Sequence, residues 1–458
     1  MKVAVISKSD SRGGGASRVA EDLALGLNET GHQATHFIAH RGVRAFDEGL
    51  VFLYGALKGP ILFGQKVFRK IGIPDVVPLE LLPVAVSSIA RDYDVIHFHD
   101  LTTAMSPYTV RWLSRRRPCF WTFHDCSPFT GGCFYPEDCD RFQTRCGTNG
   151  GCPQLGKFPT NGKIDVTGFI QSTKTALHFT GRVCAITPSE WMSDLAFSSG
   201  KLPVKPIVVS NGVDLTKFRP AADKRGLRAE LGLPVNRPIL LISAGDLRDP
   251  RKGAKYSIEA CRSVIDLLPF AVILGNADKD LQIAMGDIDF KAVGYVDSAV
   301  TLAKWYSAAD VFLFCSLADN QPLSILETMA CGVPLVGFAT GGIPEMVEAN
   351  RTGVVVRQRD TDALKGALRT ALGPGMAATL GRSARMRAER DFSRGKFLSQ
   401  HLQLYERTST RSYSTVRTRA RNGSLDRPRS GGSALAALLG SYRGGHEQEP
   451  HPRTRFAN

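Results

Sequence analysis

Asp319-Asn-Gln-Pro-Leu-Ser-Ile-Leu-Glu327-Thr-Met-Ala-Cys-Gly-Val-Pro334 sets two carboxylates eight positions apart ahead of a Gly-Val-Pro stop. The run before it, Val311-Phe-Leu-Phe-Cys-Ser316, is apolar enough for a parallel strand buried on both faces. A strand there puts Asp319 at its carboxyl end and Glu327 inside a helix that starts near Leu323. Ligands of open parallel sheets bind at that end, and the free N–H groups of a helix start favour an anion such as a diphosphate. At a rise of about 1.5 Å per residue, Glu327 lies about one turn beyond, a reach from phosphate to ribose hydroxyls. On these residues alone, an amphipathic helix with an ordinary acid near its start stays open as the plainer reading.

Outward from this stretch, apolar runs alternate with helical patterns in two series. The first predicts strands at 3–7, 34–39, 95–98, 120–123 and 183–187, a helix over 16–28, and a last strand and exit turn at 207–214. The second predicts strands at 239–243, 270–274, 292–296, 311–316, 334–338 and 353–356, then helices over 362–371 and 376–389. Such alternation builds doubly wound parallel sheets, so an α/β chain with two Rossmann-like domains is expected. The boundaries drawn are 1–215, carrying a Cys-rich insertion over 124–160, and 216–395, the two joined by a Lys/Arg-rich passage holding Pro220, Pro234 and Pro238. A helix at 396–406 follows, and the Arg/Ser/Gly-rich segment 407–458 is expected to be disordered.

A chain of 458 residues, 43% hydrophobic, can bury two cores. No run approaches the roughly 18 to 20 apolar residues of a membrane span, and residues 1–7 are too short for a signal-peptide core, so a cytoplasmic location is expected. The net charge of +15 is uneven, because ten Arg against three acids in 407–458 give +7 and leave +8 for the other 406 residues. No nucleic-acid-reading motif accompanies it, and the balance suits anionic small molecules or an acidic membrane surface. The segment 49–89 is rich in Leu, Val and Phe with scattered Lys and Arg. Helix packing with snorkelling cations is the first reading of it, and a peripheral membrane-facing surface the second.

Three further loops stand at predicted strand ends. Gly13-Gly-Gly-Ala-Ser17 opens the first helix, where backbone could approach a phosphate or simply make a tight turn; it is neither a Walker loop nor a full dinucleotide fingerprint. Gly245-Asp-Leu-Arg-Asp-Pro-Arg-Lys252-Gly253 offers cations before a helix, and Trp121-Thr-Phe-His124-Asp125 presents an imidazole. Alternation puts His97 and His99 on one face, a pattern that metal binding would also give. Thr340-Gly-Gly-Ile-Pro-Glu345 is read either as a close approach to ligand or as a turn before a helix. Six of the ten cysteines, Cys119, Cys126, Cys133, Cys139, Cys146 and Cys152, crowd into 34 residues.

The 319–334 stretch resembles the second-domain signature of the GT4 family of retaining glycosyltransferases, in which Glu-x7-Glu precedes Met-Ala-Cys-Gly-x-Pro. Here the pattern is Asp-x7-Glu, so Asp319 is one methylene shorter, and Pro322 removes an N–H where some members carry glycine. Asp-Asn-x-Pro is similar to an exopolysaccharide, colanic-acid-type branch, as are Phe129-Thr-Gly-Gly-Cys133 and Cys152-Pro-Gln-Leu155. The resemblance covers about residues 1–406. It implies a GT-B architecture, two Rossmann-like domains facing a cleft, with the 396–406 helix crossing back to the first. It implies that Glu327 grips the donor ribose, that Asp319 lies near the transferred sugar, and that Asn320, Gln321 and Leu323 help to hold phosphate. Gly14 and Gly15 match two family glycines on the donor side, and Lys252 with Arg251 would serve the diphosphate. Asp246 stands where the family often has an Arg, so Arg248 or Arg251 would replace that cation. His124 would contact the sugar and shape the acceptor side, making His124, Asp319 and Lys252 the catalytic set.

The resemblance further implies chemistry without a catalytic metal or cofactor. For the insertion, a structural zinc on Cys133, Cys139, Cys146 and Cys152 stands beside free thiols and disulfides. The function expected is sugar transfer, with retention, from a nucleoside-diphosphate sugar to a saccharide or lipid-linked saccharide in exopolysaccharide biosynthesis. Epimerases or phosphorylases of similar shape would want further acid/base groups or a cofactor lysine, neither of which is evident. The alternative is a catalytically degenerate nucleotide-sugar sensor or scaffold.

Overall fold

The computed structural model describes residues 1–40, 50–73, 75–148, 150–160, 163–276 and 279–421. Two all-parallel sheets organise it. The first contains β1 (Lys2–Ser7), β2 (Gln33–Ile38), β3 (Leu50–Phe52), β4 (Val95–Phe98), β5 (Cys119–Thr122), β6 (Val183–Thr187) and β7 (Ile207–Val208), in the order β3-β2-β1-β4-β5-β6-β7. The second contains β8 (Ile239–Asp246), β9 (Phe270–Asn276), β10 (Asp289–Gly294), β11 (Val311–Phe314), β12 (Leu335–Phe338) and β13 (Gly353–Val356), in the order β10-β9-β8-β11-β12-β13. Strand order reverses between β1 and β4 and again between β8 and β11, and such switch points open a crevice at the strands' carboxyl ends.

The inner strands of each sheet are buried on both faces and read as largely apolar runs, whereas the edge strands β3, β7 and β10 are partly exposed. In β1 the residues Ala4 and Ile6 join one core layer while Val3 and Val5 join the layer opposite. In the second sheet Leu240, Ile242 and Leu313 face one layer, and Leu241, Phe312 and Phe314 the other.

The helix α1 (Gly15–Glu29) covers the face of the first sheet that the last described helix, Arg394–Arg421, also covers. That last helix returns Phe397, Leu398, Leu404 and Tyr405 to the first sheet's core. Gly26 of α1 permits the approach, since a Cβ there would fall 2.6 Å from both δ-carbons of Leu398. Arg394 fastens the entry by donating to Asp22 at 2.7 Å.

Some elements differ from the sequence expectation. The edge strand β3 was not expected; among the described residues its three residues pair with β2 alone. β10 starts earlier than the predicted 292–296, because its register follows Phe270 and Ala271 of β9. The helix predicted at 396–406 runs over Arg394–Arg421. Between Gly395 and Gly423 no Gly or Pro interrupts the chain, and residues 422–458 of the tail expected to be disordered lie outside the described residues.

In α2 (Lys58–Ile71) only Ile61 is buried. Phe63, Val67 and Ile71, spaced four apart, are 71%, 40% and 47% exposed, so this face packs on no described element to the extent that helix packing would require. No helix among the described residues is long and apolar enough to cross a membrane.

Candidate active site

The loops after β8 and β11 bring Lys252 and Asp319 together at the second sheet's switch point. Lys252 Nζ donates to Asp319 Oδ2 at 2.8 Å, and the Ser316 hydroxyl donates to the same oxygen at 2.6 Å. Both side chains of the ion pair are largely buried. The spacing is set by backbone: Gly253 has φ +68, and a Cβ on it would fall 1.9 Å from the Cys315 carbonyl oxygen, so only glycine lets this loop press onto the end of β11. The Leu317 N–H donates to the Arg251 carbonyl at 2.7 Å and closes the contact. Arg251 itself donates to the Ala318 carbonyl at 2.8 Å, and its guanidinium lies 5.4 Å from the ring centre of Tyr135 in the Cys-rich segment.

Beyond Asp319, the helix Leu323–Ala330 starts at Pro322 with no side chain capping it. Its dipole and first N–H groups therefore favour an anion. Glu327 is 3% exposed on this helix. One of its oxygens, Oε1, accepts from the Arg18 guanidinium of α1, while Oε2 has no hydrogen-bond partner among the described residues. The Glu327 carboxylate holds the Arg18 pKa above its ordinary value.

The first half faces this cluster with the β1 loop and the end of β5. Gly14 has φ +113, and a Cβ on Gly14 or Gly15 would meet nothing within 4 Å, so backbone at both borders open space. Gly13 differs: a Cβ there would fall 2.4 Å from Ser9 Cβ, and its need is the tight turn. His124 Nε2 lies 2.9 Å from His99 Nδ1 with the rings stacked, and burial pushes its pKa down to about 3. Its imidazole is therefore neutral at pH 7 and can offer hydrogen bonds but no charge. Burial, and then Asp100, raise the neighbouring Asp125 above the usual carboxylate range.

Asn320 and Gln321 spend their side chains on joining the halves. Asn320 Nδ2 donates to the His124 carbonyl at 3.2 Å, and its Oδ1 accepts from Ser189 Oγ at 2.5 Å. Gln321 Oε1 accepts from the Asn211 N–H at 2.6 Å. Leu323 packs against core layers of both halves.

Other sequence candidates stand apart. Arg248 donates to Asp246 at 2.8 Å and 2.7 Å on the exposed face of the β8 loop, which turns it toward that acid. The glycines of the 340–345 motif approach protein, since a Cβ on Gly341 would fall 1.9 Å from the Asp319 carbonyl oxygen. Glu345 accepts the N–H groups of Glu190 at 2.8 Å and Trp191 at 2.6 Å, another link between halves. His97 is taken up by the Tyr405 hydroxyl at 2.5 Å and Thr122 at 2.8 Å.

No group of three or more His, Cys, Asp or Glu among the described residues is placed to hold a metal ion, an arrangement in keeping with the free-thiol reading of Cys133, Cys139, Cys146 and Cys152. All ten cysteines are free. Burial pushes the Cys133 thiol up to about 12 and the Cys146 thiol up to about 11, and Cys146 Sγ accepts from the Gly131 N–H at 3.3 Å.

Sequence reading missed Arg18, Tyr135, Ser189 and Asn211. Arg18 follows the Gly14-Gly15 loop that was singled out, and its cation at a helix start was the available signal; its partner is 309 residues away.

Residues 13–217 match the family described as Glycosyltransferase Family 4, and residues 238–373 match Glycosyl transferases group 1. D-inositol 3-phosphate glycosyltransferase of Saccharomonospora viridis is 31% identical over 199 residues, 40% of this chain and 46% of that protein. UDP-Gal:alpha-D-GlcNAc-diphosphoundecaprenol alpha-1,3-galactosyltransferase of Escherichia coli is 31% identical over 178 residues, 36% of this chain and 45% of that one. The chain thus spans about half the length of the curated relatives it matches. Sucrose-phosphate synthase from Thermosynechococcus elongatus shares the fold with a TM-score of 0.65 at 21% identity, over 89% of this chain and 98% of that one. The two doubly wound halves are a GT-B glycosyltransferase fold.

Proposed function

We propose that this chain, which through those two matches belongs to the group 1, family 4 glycosyltransferases, moves a sugar from a nucleoside-diphosphate donor to a saccharide acceptor with retention. The observation that carries this reading is the alignment at one sheet end of Lys252, Asp319, an uncapped helix start and buried Glu327. Diphosphate would lie between Lys252 and the helix start, with ribose at Glu327 and the sugar toward His124.

In the transfer the bond from the sugar's anomeric carbon to the phosphate oxygen breaks, and the acceptor oxygen bonds that carbon on the same face. The acceptor's proton passes to the departing phosphate, so no protein nucleophile is needed. Lys252 offsets the charge growing on the leaving group, and Asp319 holds Lys252 in place before donor arrives. Cross-links between the halves exclude water from the reacting centre.

The acceptor proposed is a lipid-linked saccharide of exopolysaccharide assembly, reached at the cytoplasmic face of the membrane. Exposed Phe63, Val67 and Ile71 on a helix that also carries Lys58, Lys66, Arg69 and Lys70 support peripheral contact with an anionic bilayer. No catalytic metal is invoked.

The test is incubation with UDP-, GDP-, ADP- and dTDP-sugars in the presence of a membrane extract, with the product's anomeric configuration read by NMR. A product with the donor's configuration supports the proposal, and inversion overturns the retaining mechanism. Donor binding with no turnover under any condition would favour a nucleotide-sugar sensor.

A further inference from the structure

The buried Glu327 carboxylate is held from the opposite half of the molecule. Arg18 stands in the first turn of α1, next to the open Gly14-Gly15 backbone, and its guanidinium reaches across to Glu327 Oε1. Arg12, in the loop that leads into α1, reaches across in the same way to Asp297. Glu327 would otherwise be a buried charge without a counter-ion, a costly arrangement. The pair leaves Oε2 buried and without a partner among the described residues, and an orphaned buried acceptor is a group that a ligand hydroxyl can satisfy.

We propose that Arg18 is a positioning residue of the donor site: it fixes the Glu327 carboxylate through Oε1 so that Oε2 is presented to a ribose hydroxyl. This rests on the donor-site reading above and adds to it. Because the pair spans the two halves, the ribose grip is complete only when they are closed. Donor binding and closure are thereby coupled through one guanidinium. An Arg18 that served stability alone would affect every nucleotide equally, whereas an Arg18 that orients Glu327 sets the preference for ribose over deoxyribose.

The experiment is calorimetric titration of the full chain with UDP, GDP and ADP, each paired with its 2′-deoxy form. Wild-type protein is expected to prefer the ribonucleotide by at least about tenfold, in keeping with a hydrogen bond to a charged group. In Arg18→Ala the preference falls to below about threefold, Arg18→Lys keeps most of it, and adding Arg18→Ala to Glu327→Gln causes no further loss. Arg18→Met, which keeps the aliphatic stem and removes every N–H donor, is expected to lose the preference likewise should the alanine variant fail to fold.

An Arg18→Ala variant that keeps the wild-type ratio overturns the proposal, as does an additive loss in the double variant. Wild-type binding with no ribose preference overturns the role of Glu327 as well. Wild-type protein that binds no diphosphate overturns the donor-site reading itself and this inference with it.

Discussion

Replacing Lys252 by alanine removes the cation that the account places against the leaving diphosphate. Its Nζ now sits 2.8 Å from Asp319 Oδ2 in a largely buried pair, so the amine is already desolvated and aimed. A phosphate oxygen at a similar distance would feel about 6 kcal/mol per unit charge at an effective dielectric near 20. Growth of about half a charge in the transition state then gives about 3 kcal/mol, inside the roughly 2.7 to 4 kcal/mol seen for preorganised donors. That corresponds to a loss of about 100-fold or slightly more in kcat.

Fold stability should suffer as well, by about 1 to 3 kcal/mol, because the largely buried Asp319 loses its counter-ion while keeping the Ser316 hydroxyl and some solvent contact. The assay is donor hydrolysis and transfer at saturating donor, with thermal unfolding of each variant as the control for folding. A Lys252→Ala protein that is folded, binds donor and retains kcat within about threefold would refute the charge-stabilising role and reduce Lys252 to a partner of Asp319.

The other predictions concern backbone, protonation and thiols. Gly253→Ala should lower stability by at least about 2 kcal/mol, since the new Cβ would lie 1.9 Å from a carbonyl oxygen at φ +68. Gly366→Ala, at an open position of the helix Thr361–Ala371, should raise stability by about 0.5 to 1 kcal/mol; urea unfolding checks both.

Acidification should destabilise the fold. Burial holds His36, His178 and His401 near pKa 4 and His124 near 3, and lowers His97 and His99, whereas unfolded histidine titrates near 6.5. The unfolded chain then binds more protons below about pH 6.5, and each such histidine contributes a loss of up to about 1.4 kcal/mol per pH unit until its folded pKa is reached. Asp22, Asp75, Glu80, Asp125 and Glu345, all raised by burial and Asp75 to about 6, oppose this in part, being fewer than the histidines. Urea midpoints that fall from pH 7 to pH 5 are expected; a flat or rising series would contradict it. Thiol titration in urea without reductant should return ten free cysteines, and a smaller number would show bridges or bound metal in the insertion.

Most strands of both sheets could be read from sequence because a strand buried on both faces is largely apolar, as Val311–Phe314 and Leu335–Phe338 are. The three-residue edge strand Leu50–Phe52 offers too short a pattern for that rule, and β10 took its start from pairing with β9, which no local signal reports. The site divides in the same way. Lys252, Asp319 and Glu327 sit in motifs that follow strand ends, where chain order and spacing suffice to name them as candidates.

The partners of those residues are a different matter. Arg18 meets Glu327 across 309 residues, and Asn320 and Gln321 turn their side chains to Ser189, His124 and Asn211 in the other half. Such pairings arise from the docking of two sheets, and a linear pattern carries no record of it. The four cysteines show the converse: crowding in sequence did not bring their sulfurs into a shared metal geometry among the described residues.

The central claim is that the second sheet's switch point is a nucleotide-sugar donor site. Thermal-shift titration with UDP-, GDP-, ADP- and dTDP-sugars, each followed by chromatography for hydrolysis, tests it most directly. The account predicts that one donor stabilises the protein and is slowly hydrolysed, with both effects weakened at least about tenfold in Glu327→Ala. No stabilisation by any of these donors, or stabilisation unchanged in Glu327→Ala, would contradict it.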